Sequence, residues 1–234
     1  MNPAFLFAPV ILIVAVWVLF VFAQISRRRR EMGEWAAHNG WTFDPDRSDF
    51  VDMDYAGLSC LIRGDNRYSY NRVKGSFKDK QFDLFDYHYE TGSKDSDSNS
   101  RAQSHVFSAV VMQCPFPLKP LLIRPEGLFD KMKQFLGFED INFESAEFSR
   151  KFFVKANDKR WAYDVIHQRV MELLLSSPMH CMEMNDLQII VWNDRTYTVA
   201  EFQDALYFLD RFIDLFPDYL IRQQMESLAI PNRA

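Results

Sequence analysis

The stretch His105-Val-Phe-Ser-Ala-Val-Val-Met-Gln-Cys114 carries apolar side chains at both odd and even positions. Because neighbouring side chains of a strand point to opposite faces, a strand of this composition is buried on both faces. Three prolines follow, at Pro115, Pro117 and Pro120, and proline cannot donate a ladder hydrogen bond. We therefore predict a central strand over residues 105–114 that ends at these prolines.

The segments around this strand also predict strands. Leu58–Arg63 and Tyr68–Phe77 flank the turn-prone residues 64–67. In Gln81–Tyr89 the apolar side chains change from even to odd positions after Leu84, which indicates a bulge or a strand buried on both sides. Asn185-Asp186 predicts the turn of a hairpin whose strands cover 180–184 and 187–192. Short extended segments are predicted at 121–124 and 152–154.

Helical spacing predicts the remaining elements. Two short helices are expected at Leu128–Leu136 and Ser145–Lys151, an amphipathic helix at Trp161–Leu175, and a long helix that begins after Thr198 as its N-cap. Strands and helices do not alternate as in βαβ units. The order therefore predicts an α+β fold, with a mostly antiparallel sheet of about six strands packed with helices. A pleckstrin-homology-like roll is one arrangement compatible with it.

The N-terminal segment has the pattern of a membrane span. Phe5 to Ala23 is an unbroken apolar run, and no charged side chain occurs before Arg27. A helix needs about 20 such residues to cross a bilayer. A cleaved signal peptide would carry a basic segment ahead of its apolar core, and Met1–Phe5 holds no Lys or Arg. We predict an uncleaved transmembrane helix within residues 1–30 that contacts the lipid bilayer through residues 5–25.

Four arginines follow the apolar run directly: Arg27, Arg28, Arg29 and Arg30. Cytoplasmic flanks of membrane helices are enriched in Lys and Arg. The run therefore predicts a single-pass topology with the N-terminus outside and the C-terminal domain in the cytosol. These arginines are the candidate site residues of the chain, as topology determinants at the membrane interface. Contact with anionic lipid is their alternative role.

The rest of the chain divides into three parts. The helix is expected to continue through residues 31–40 and to end at Gly40, which suits a left-handed C-terminal cap. Residues 41–234 are predicted to form the soluble α+β domain. Within it, residues 91–104 are polar and of low complexity, which predicts a flexible loop.

Composition narrows the classes of function. Residues 31–234 carry 23 basic and 32 acidic side chains, since the first 30 residues hold four of the 27 basic ones and no acidic one. The resulting net charge of −9 argues against nucleic-acid binding, which requires a basic surface. The three cysteines, Cys60, Cys114 and Cys181, are widely spaced and odd in number. This usage favours a reducing compartment over a disulfide framework.

Two groups of side chains could support chemistry, a soft metal-ligand cluster and a Cys–His pair. His180, Cys181, Met182 and Met184 are soft ligands of the kind that bind Cu(I), but on a strand Cys181 points away from the other three. Methionines filling a core explain the same sequence, and we favour that interpretation. A nucleophilic site could pair Cys114 with His88 or His105, although no third orienting residue is evident. We predict no cofactor and no metal ligand.

Several segments resemble a family of uncharacterised bacterial membrane proteins related to the domain-of-unknown-function group 3137, and the clear similarity covers roughly residues 105–195. The similar segments are Gly40–Phe43, Arg124–Gly127, Phe143–Val154, Asn157-Asp158, Ala162–Ile166 and Met171–Leu175. The resemblance implies a bacterial plasma (inner) membrane protein. It implies no reaction and no functional residues, because the family has no assigned activity.

The sequence therefore predicts a membrane-anchored cytosolic domain without a catalytic motif. A non-catalytic scaffold or interaction module with a protein partner of unknown identity is the leading hypothesis. A membrane-tethered, hydrolase-like enzyme with a spatially assembled Cys–His or carboxylate site is the first alternative. A soft-metal sensor built on the cluster at residues 180–184 is the second.

Overall fold

The computed structural model describes residues 4–49, 54–92, 102–126 and 139–229. Its helices are α1 (Ala4–His38), α2 (Ala146–Lys151), α3 (Lys159–Val165), α4 (Gln168–Ser176), α5 (Val199–Asp214) and α6 (Asp218–Ala229). Its strands are β1 (Thr42–Asp44), β2 (Asp65–Phe77), β3 (Lys80–Thr91), β4 (Gln103–Pro125), β5 (Glu139–Asp140), β6 (Phe152–Ala156) and β7 (Cys181–Trp192). The predicted helix at Leu128–Leu136 and most of the predicted loop at 91–104 lie outside the described residues.

The strands form one sheet in the order β1-β2-β3-β4-β6-β5, and β7 also pairs with β4. Every strand pair recorded among the described residues is antiparallel. The predicted α+β class with an antiparallel sheet is therefore confirmed. Strand β4 is central, since β3 pairs with its N-terminal part, β6 with residues 121–125, and β7 with the opposite edge.

The prolines do not end the central strand, so that prediction is wrong. β4 continues through Pro115, Pro117 and Pro120 as far as Pro125. The pairing with β3 ends at Met112, and the register with β7 shifts between Gln113 and Leu121. Ladder hydrogen bonds are already interrupted there, and a proline at such an irregularity removes little.

The sheet is buried on both faces. Phe82 and Leu84 of β3 belong to the larger core, whereas Phe85 and Tyr87 belong to the smaller one. The change of phase predicted for this strand therefore reflects burial on both sides, as expected. The bulge lies in β2, where the register shifts between Tyr70 and Val73.

A loop covers the smaller core instead of a strand. The strand predicted at Leu58–Arg63 is wrong: Ser59–Leu61 is a single 3-10 turn with all three residues buried. The Glu183 carboxylate accepts two hydrogen bonds from Ser59: Oε1 accepts from the N–H at 2.8 Å, and Oε2 accepts from the hydroxyl at 2.6 Å. This carboxylate holds the N-terminus of the turn against β7, so the turn can place apolar side chains without strand alternation.

Two other elements differ from the sequence prediction. β7 is one strand and not a hairpin, because it pairs with β4 over nearly its whole length, from Ala109 to Ile123 of β4, through two register shifts. Asp186, expected in the turn, has φ 53° at a register shift within the strand. The helix predicted at Trp161–Leu175 is broken between Val165 and Gln168, where His167 Nε2 lies 2.9 Å from the carbonyl oxygen of Leu215.

The helix ends predicted at Thr198 and Gly40 are confirmed. Thr198 caps α5 and forms a capping box with Glu201, and Ser145 caps α2. Gly40 follows α1 with φ 72°. α1 itself packs into the larger core through Met32 and Ala36, which are 1% and 0% exposed. Within the described part of the chain, no helix meets the length and hydropathy of a membrane span.

Candidate functional site

A buried polar site is centred on Asp86 of β3. Its side chain is completely buried, and the strand from which it projects carries four of its twelve side chains as Phe or Tyr. A buried carboxylate costs several kcal/mol unless charged or polar groups satisfy it. Asp86 receives four such contacts, and each of its oxygens accepts two hydrogen bonds.

Arg28 of α1 supplies two of these contacts as a bidentate pair. Its Nε donates to Asp86 Oδ2 at 2.8 Å, and its Nη2 donates to Asp86 Oδ1 at 2.6 Å. Its remaining amino group donates to the carbonyl oxygen of Tyr197 at 2.6 Å. Burial lowers the pKa of Arg28, but the hydrogen bond and the charge of Asp86 outweigh burial and leave this pKa raised. The guanidinium therefore links α1 to β3 and to the loop before α5.

Two neutral side chains complete the shell of Asp86. Asn71 Nδ2 donates to Oδ2 at 2.8 Å, and the Ser108 hydroxyl donates to Oδ1 at 2.6 Å. Asn71 lies in the bulge of β2 with φ 51°, a conformation that asparagine tolerates better than most residues. The bulge thus turns a side chain of β2 towards the carboxylate. The Tyr197 N–H in turn donates to the Ser108 oxygen at 2.8 Å.

A cleft of about 440 Å³ opens beside this network, between α1 and β2. We call it the juxta-helix cleft, and its lining residues are Ile25, Arg28, Arg29, Arg47, Tyr68, Tyr70, Asn71 and Thr196. The guanidinium carbon of Arg47 lies 4.0 Å from the centre of the Tyr68 ring. Burial, and then the charge of Asp86, raises the pKa of Tyr70 to about 12. The cleft is therefore cationic and aromatic, and its tyrosine stays protonated at neutral pH.

The four arginines predicted as one set have different environments. Arg27 pairs with Glu31 at 2.7 Å, and Arg30 lies 3.9 Å from Glu34, both on the exposed surface of α1. Arg28 is committed to Asp86, and Arg29 lines the cleft. Sequence reasoning missed the role of Arg28 because its partner is 58 positions away. The available signal was an aspartate inside a strand of apolar residues.

The soft-ligand cluster is divided between the two faces of the sheet. Met182 and Met184 lie in the larger core and Cys181 in the smaller one, as strand alternation requires. His180 Nδ1 lies 2.9 Å from the Tyr197 hydroxyl oxygen. Among the described residues, no group of three or more His, Cys, Asp or Glu side chains is placed to hold a metal ion.

The candidate nucleophiles and bases also have structural surroundings. All three cysteines are buried and free of disulfides. Burial raises the pKa of Cys114 to about 12 and raises that of Cys60 as well. His88 lies 2.7 Å from the Ser104 hydroxyl, and His105 lies 2.7 Å from the Thr91 hydroxyl. Raised thiol pKa values suppress the thiolate that nucleophilic chemistry needs.

Comparisons with known proteins give a fold relationship. No protein-family model matches the chain, and no curated protein matches it. The crystal structure of the mycobacterial trehalose monomycolate transport factor A, TtfA, is similar, with a TM-score of 0.59 at 13% sequence identity. The match covers 80% of this chain and 93% of that chain. At this identity the likeness shows a shared fold alone, and the resemblance to group 3137 stays a prediction.

Proposed function

We propose that the protein is a non-catalytic module tethered to a membrane by α1, with the sheet domain held rigidly at the membrane surface. The observation that carries the proposal is the continuity of α1, which runs from the apolar N-terminal segment to side chains buried in the core. The tether and the domain therefore share one element.

The surface of α1 supports the membrane part of the proposal. Large apolar side chains between residues 12 and 25 are 37–69% exposed, among them Leu12, Trp17, Leu19 and Phe22. They surround the helix, and a helix that is apolar on all sides requires an apolar environment. Residues 5–11 continue the same composition in the sequence, although their side chains lie outside the described part.

The junction supports the rigid part of the proposal. Arg28, Met32 and Ala36 follow one another at intervals of four residues, so they lie on one face of α1. Arg28 binds Asp86, and the other two side chains are buried in the larger core. Three successive turns of the helix are thereby fixed to the sheet. A rigid junction would hold the domain at a defined height and orientation above the bilayer.

The proposed topology places the N-terminus outside and the domain in the cytosol of a bacterial cell, at its inner membrane. The arginine run on the domain side of the apolar segment supports this orientation. TtfA, which has a similar fold, is described as a transport factor, and we propose that the domain of this chain binds a protein partner at the membrane. A pleckstrin-homology-like roll stays part of the proposal and not of the observed fold.

The two alternatives have weaker support. The buried thiols with raised pKa values argue against an enzyme that uses a cysteine nucleophile. Cys181 and Met182 lie on opposite faces of the sheet, which argues against a soft-metal sensor. Neither alternative gains a specific observation from the described residues, so the interaction module is preferred.

The proposal is tested by extraction of membranes from cells that express the full chain. We expect the full chain to stay in the membrane fraction after alkaline carbonate, and a chain lacking residues 4–23 to be released. A protease added to intact spheroplasts should leave the domain uncut. Release of the full chain by carbonate would contradict the tether, and cleavage in spheroplasts would contradict the orientation.

A further inference from the structure

We propose that the juxta-helix cleft binds the phosphate group of an anionic membrane lipid. This inference rests on the proposed membrane tether, because the tether brings the cleft to the level of the lipid headgroups. The ligand chemistry is a phosphate ester, and the source to which we commit is the bilayer.

The charges of the cleft favour an anion. Arg28 is neutralised by Asp86, whose oxygens are fully occupied by protein groups. Arg29 has no ion pair among the described residues. Arg47 lies 3.6 Å from Asp49 on the exposed surface, donates a hydrogen bond to Asn66 Oδ1 at 3.4 Å, and lies over the Tyr68 ring. The cleft therefore retains the positive charge of Arg29, next to an Arg47 whose ion pair with Asp49 is exposed to solvent and weak. Guanidinium groups bind phosphate oxygens in a bidentate manner.

The position of the cleft suits a lipid headgroup. Ile25, at one end of the lining, is two residues beyond the apolar run that ends at Ala23. At about 1.5 Å of helix rise per residue, Ile25 lies about 3 Å past that run and Arg29 about 9 Å past it. The headgroup layer extends roughly 5–8 Å beyond the hydrocarbon core. The cleft would therefore begin inside this layer.

The neutral lining suits the same ligand. Tyr68 and Tyr70 present phenol groups beside the arginines, and tyrosine is enriched at membrane interfaces. Tyr70 stays protonated at neutral pH and can donate to a phosphate oxygen. A volume of about 440 Å³ lies within the usual range of small-ligand sites, about 300–1,000 Å³. Ile25 offers an apolar contact for the glycerol end of the headgroup.

The competing explanation is a general attraction between the arginine run and an anionic surface. Substitutions of Arg29 and Arg30 distinguish the two explanations, because the two residues are adjacent, exposed and equal in charge. Arg29 lines the cleft, and Arg30 faces Glu34 on the surface of α1. Arg29→Gln and Arg30→Gln are therefore matched variants, and neither removes a buried contact. Arg47→Gln tests the opposite wall of the same cleft, since Arg47 lies in the segment between β1 and β2.

The experiment is native mass spectrometry of the full chain in a neutral detergent, titrated with phosphatidylglycerol or with phosphatidylcholine. We expect the wild-type chain and Arg30→Gln to retain phosphatidylglycerol in preference to phosphatidylcholine. Arg29→Gln and Arg47→Gln should each weaken phosphatidylglycerol binding by about tenfold, the loss expected for one charged hydrogen-bonding group. Near-equal losses in Arg29→Gln and Arg30→Gln would overturn the cleft in favour of general attraction.

Glycerol 3-phosphate, added as a soluble competitor, distinguishes the two sources of phosphate. Weak competition by glycerol 3-phosphate supports a lipid ligand. Binding of glycerol 3-phosphate as tight as that of phosphatidylglycerol would show that the cleft does not select a lipid. The result is independent of the carbonate extraction. If Arg29→Gln and Arg47→Gln bind phosphatidylglycerol as well as Arg30→Gln does, and the chain stays membrane-bound, this inference alone is overturned. Release of the full chain by carbonate would overturn the proposed tether.

Discussion

Arg28 and Asp86 lie 58 positions apart in the chain, and their contact couples α1 to the sheet. Arg28→Ala removes the only cation that contacts Asp86 among the described residues and leaves a buried carboxylate behind. We expect this variant to lose about 3 kcal/mol of unfolding free energy. Arg28→Lys should recover only part of the loss, because lysine cannot make the bidentate contact.

The measurement is denaturant-induced unfolding of the detergent-solubilised full chain, followed by tryptophan fluorescence. Arg30→Ala is the matched control, since its exposed pair with Glu34 is worth less than about 1 kcal/mol. Equal stability of the Arg28→Ala and Arg30→Ala variants would show that the buried pair does not hold the junction.

His180 is expected to make the fold sensitive to acid. Burial, and then the charge of Arg195, lowers the pKa of His180 from 6.5 to about 4. Between these values the unfolded chain binds more protons than the folded chain, so stability falls as the pH drops through this window. The full contribution is present above pH 6.5, and about 3 kcal/mol is lost by pH 4.

This prediction is checked by unfolding free energies measured from pH 7.5 to pH 4 for the wild-type chain and for His180→Gln. Glutamine can keep a hydrogen bond to the Tyr197 hydroxyl but does not titrate. The His180→Gln curve should be flatter over the window, whereas parallel curves would assign the acid sensitivity to other groups.

At the scale of elements, the end of α1 is clamped onto the sheet by Trp41. The indole makes edge contacts with Trp35 and Phe82, at ring-centre distances of 5.0 Å and 4.8 Å. Its Nε1 donates to the carbonyl oxygen of Ser76 at 3.1 Å. A methyl group at Gly75 would lie 2.2 Å from Trp41 Cδ1. The contact therefore requires glycine at this position of β2.

Gly75→Ala should displace the indole and destabilise the fold by about 1–3 kcal/mol, the usual cost of overpacking. Ser76→Ala is the control, because it alters the next residue of β2 without changing the carbonyl that Trp41 binds. Melting temperatures of the two variants provide the measurement. A Gly75→Ala chain as stable as Ser76→Ala would mean that Trp41 can move without cost.

At the scale of the whole molecule, α1 belongs both to the proposed tether and to the sheet domain. A chain that begins at residue 26 keeps Arg28, Met32 and Ala36, and we expect it to fold. A chain that begins at residue 41 loses all three contacts, at a cost of about 5 kcal/mol or more. That loss is comparable with the total stability of many domains.

The two truncated chains are compared by circular dichroism and by heat-induced unfolding. Cooperative unfolding is expected for the chain from residue 26 and a weak or absent transition for the chain from residue 41. Equal melting temperatures would show that the sheet domain is complete without the end of α1.

The sequence by itself determined those features whose cause lies within a few neighbouring residues. The burial of residues 105–114 on both faces followed from apolar side chains at odd and even positions. The same pattern in residues 81–89 left two alternatives, a bulge or burial on both faces. The start of α5 at Thr198 and the end of α1 before Gly40 followed from local capping chemistry. The α+β class followed from the order of these patterns.

Only the tertiary structure decided the features that depend on distant partners. β4 runs through its prolines because its pairing changes from β3 to β6 at that point. β7 stays in one piece because it pairs with β4 on both sides of the register shifts. Ser59–Leu61 forms a turn because a carboxylate 124 positions away holds it. Arg28, unlike the other three arginines of the run, binds the buried Asp86. Burial and hydrogen bonding depend on neighbours in space, and a sequence window does not contain those neighbours.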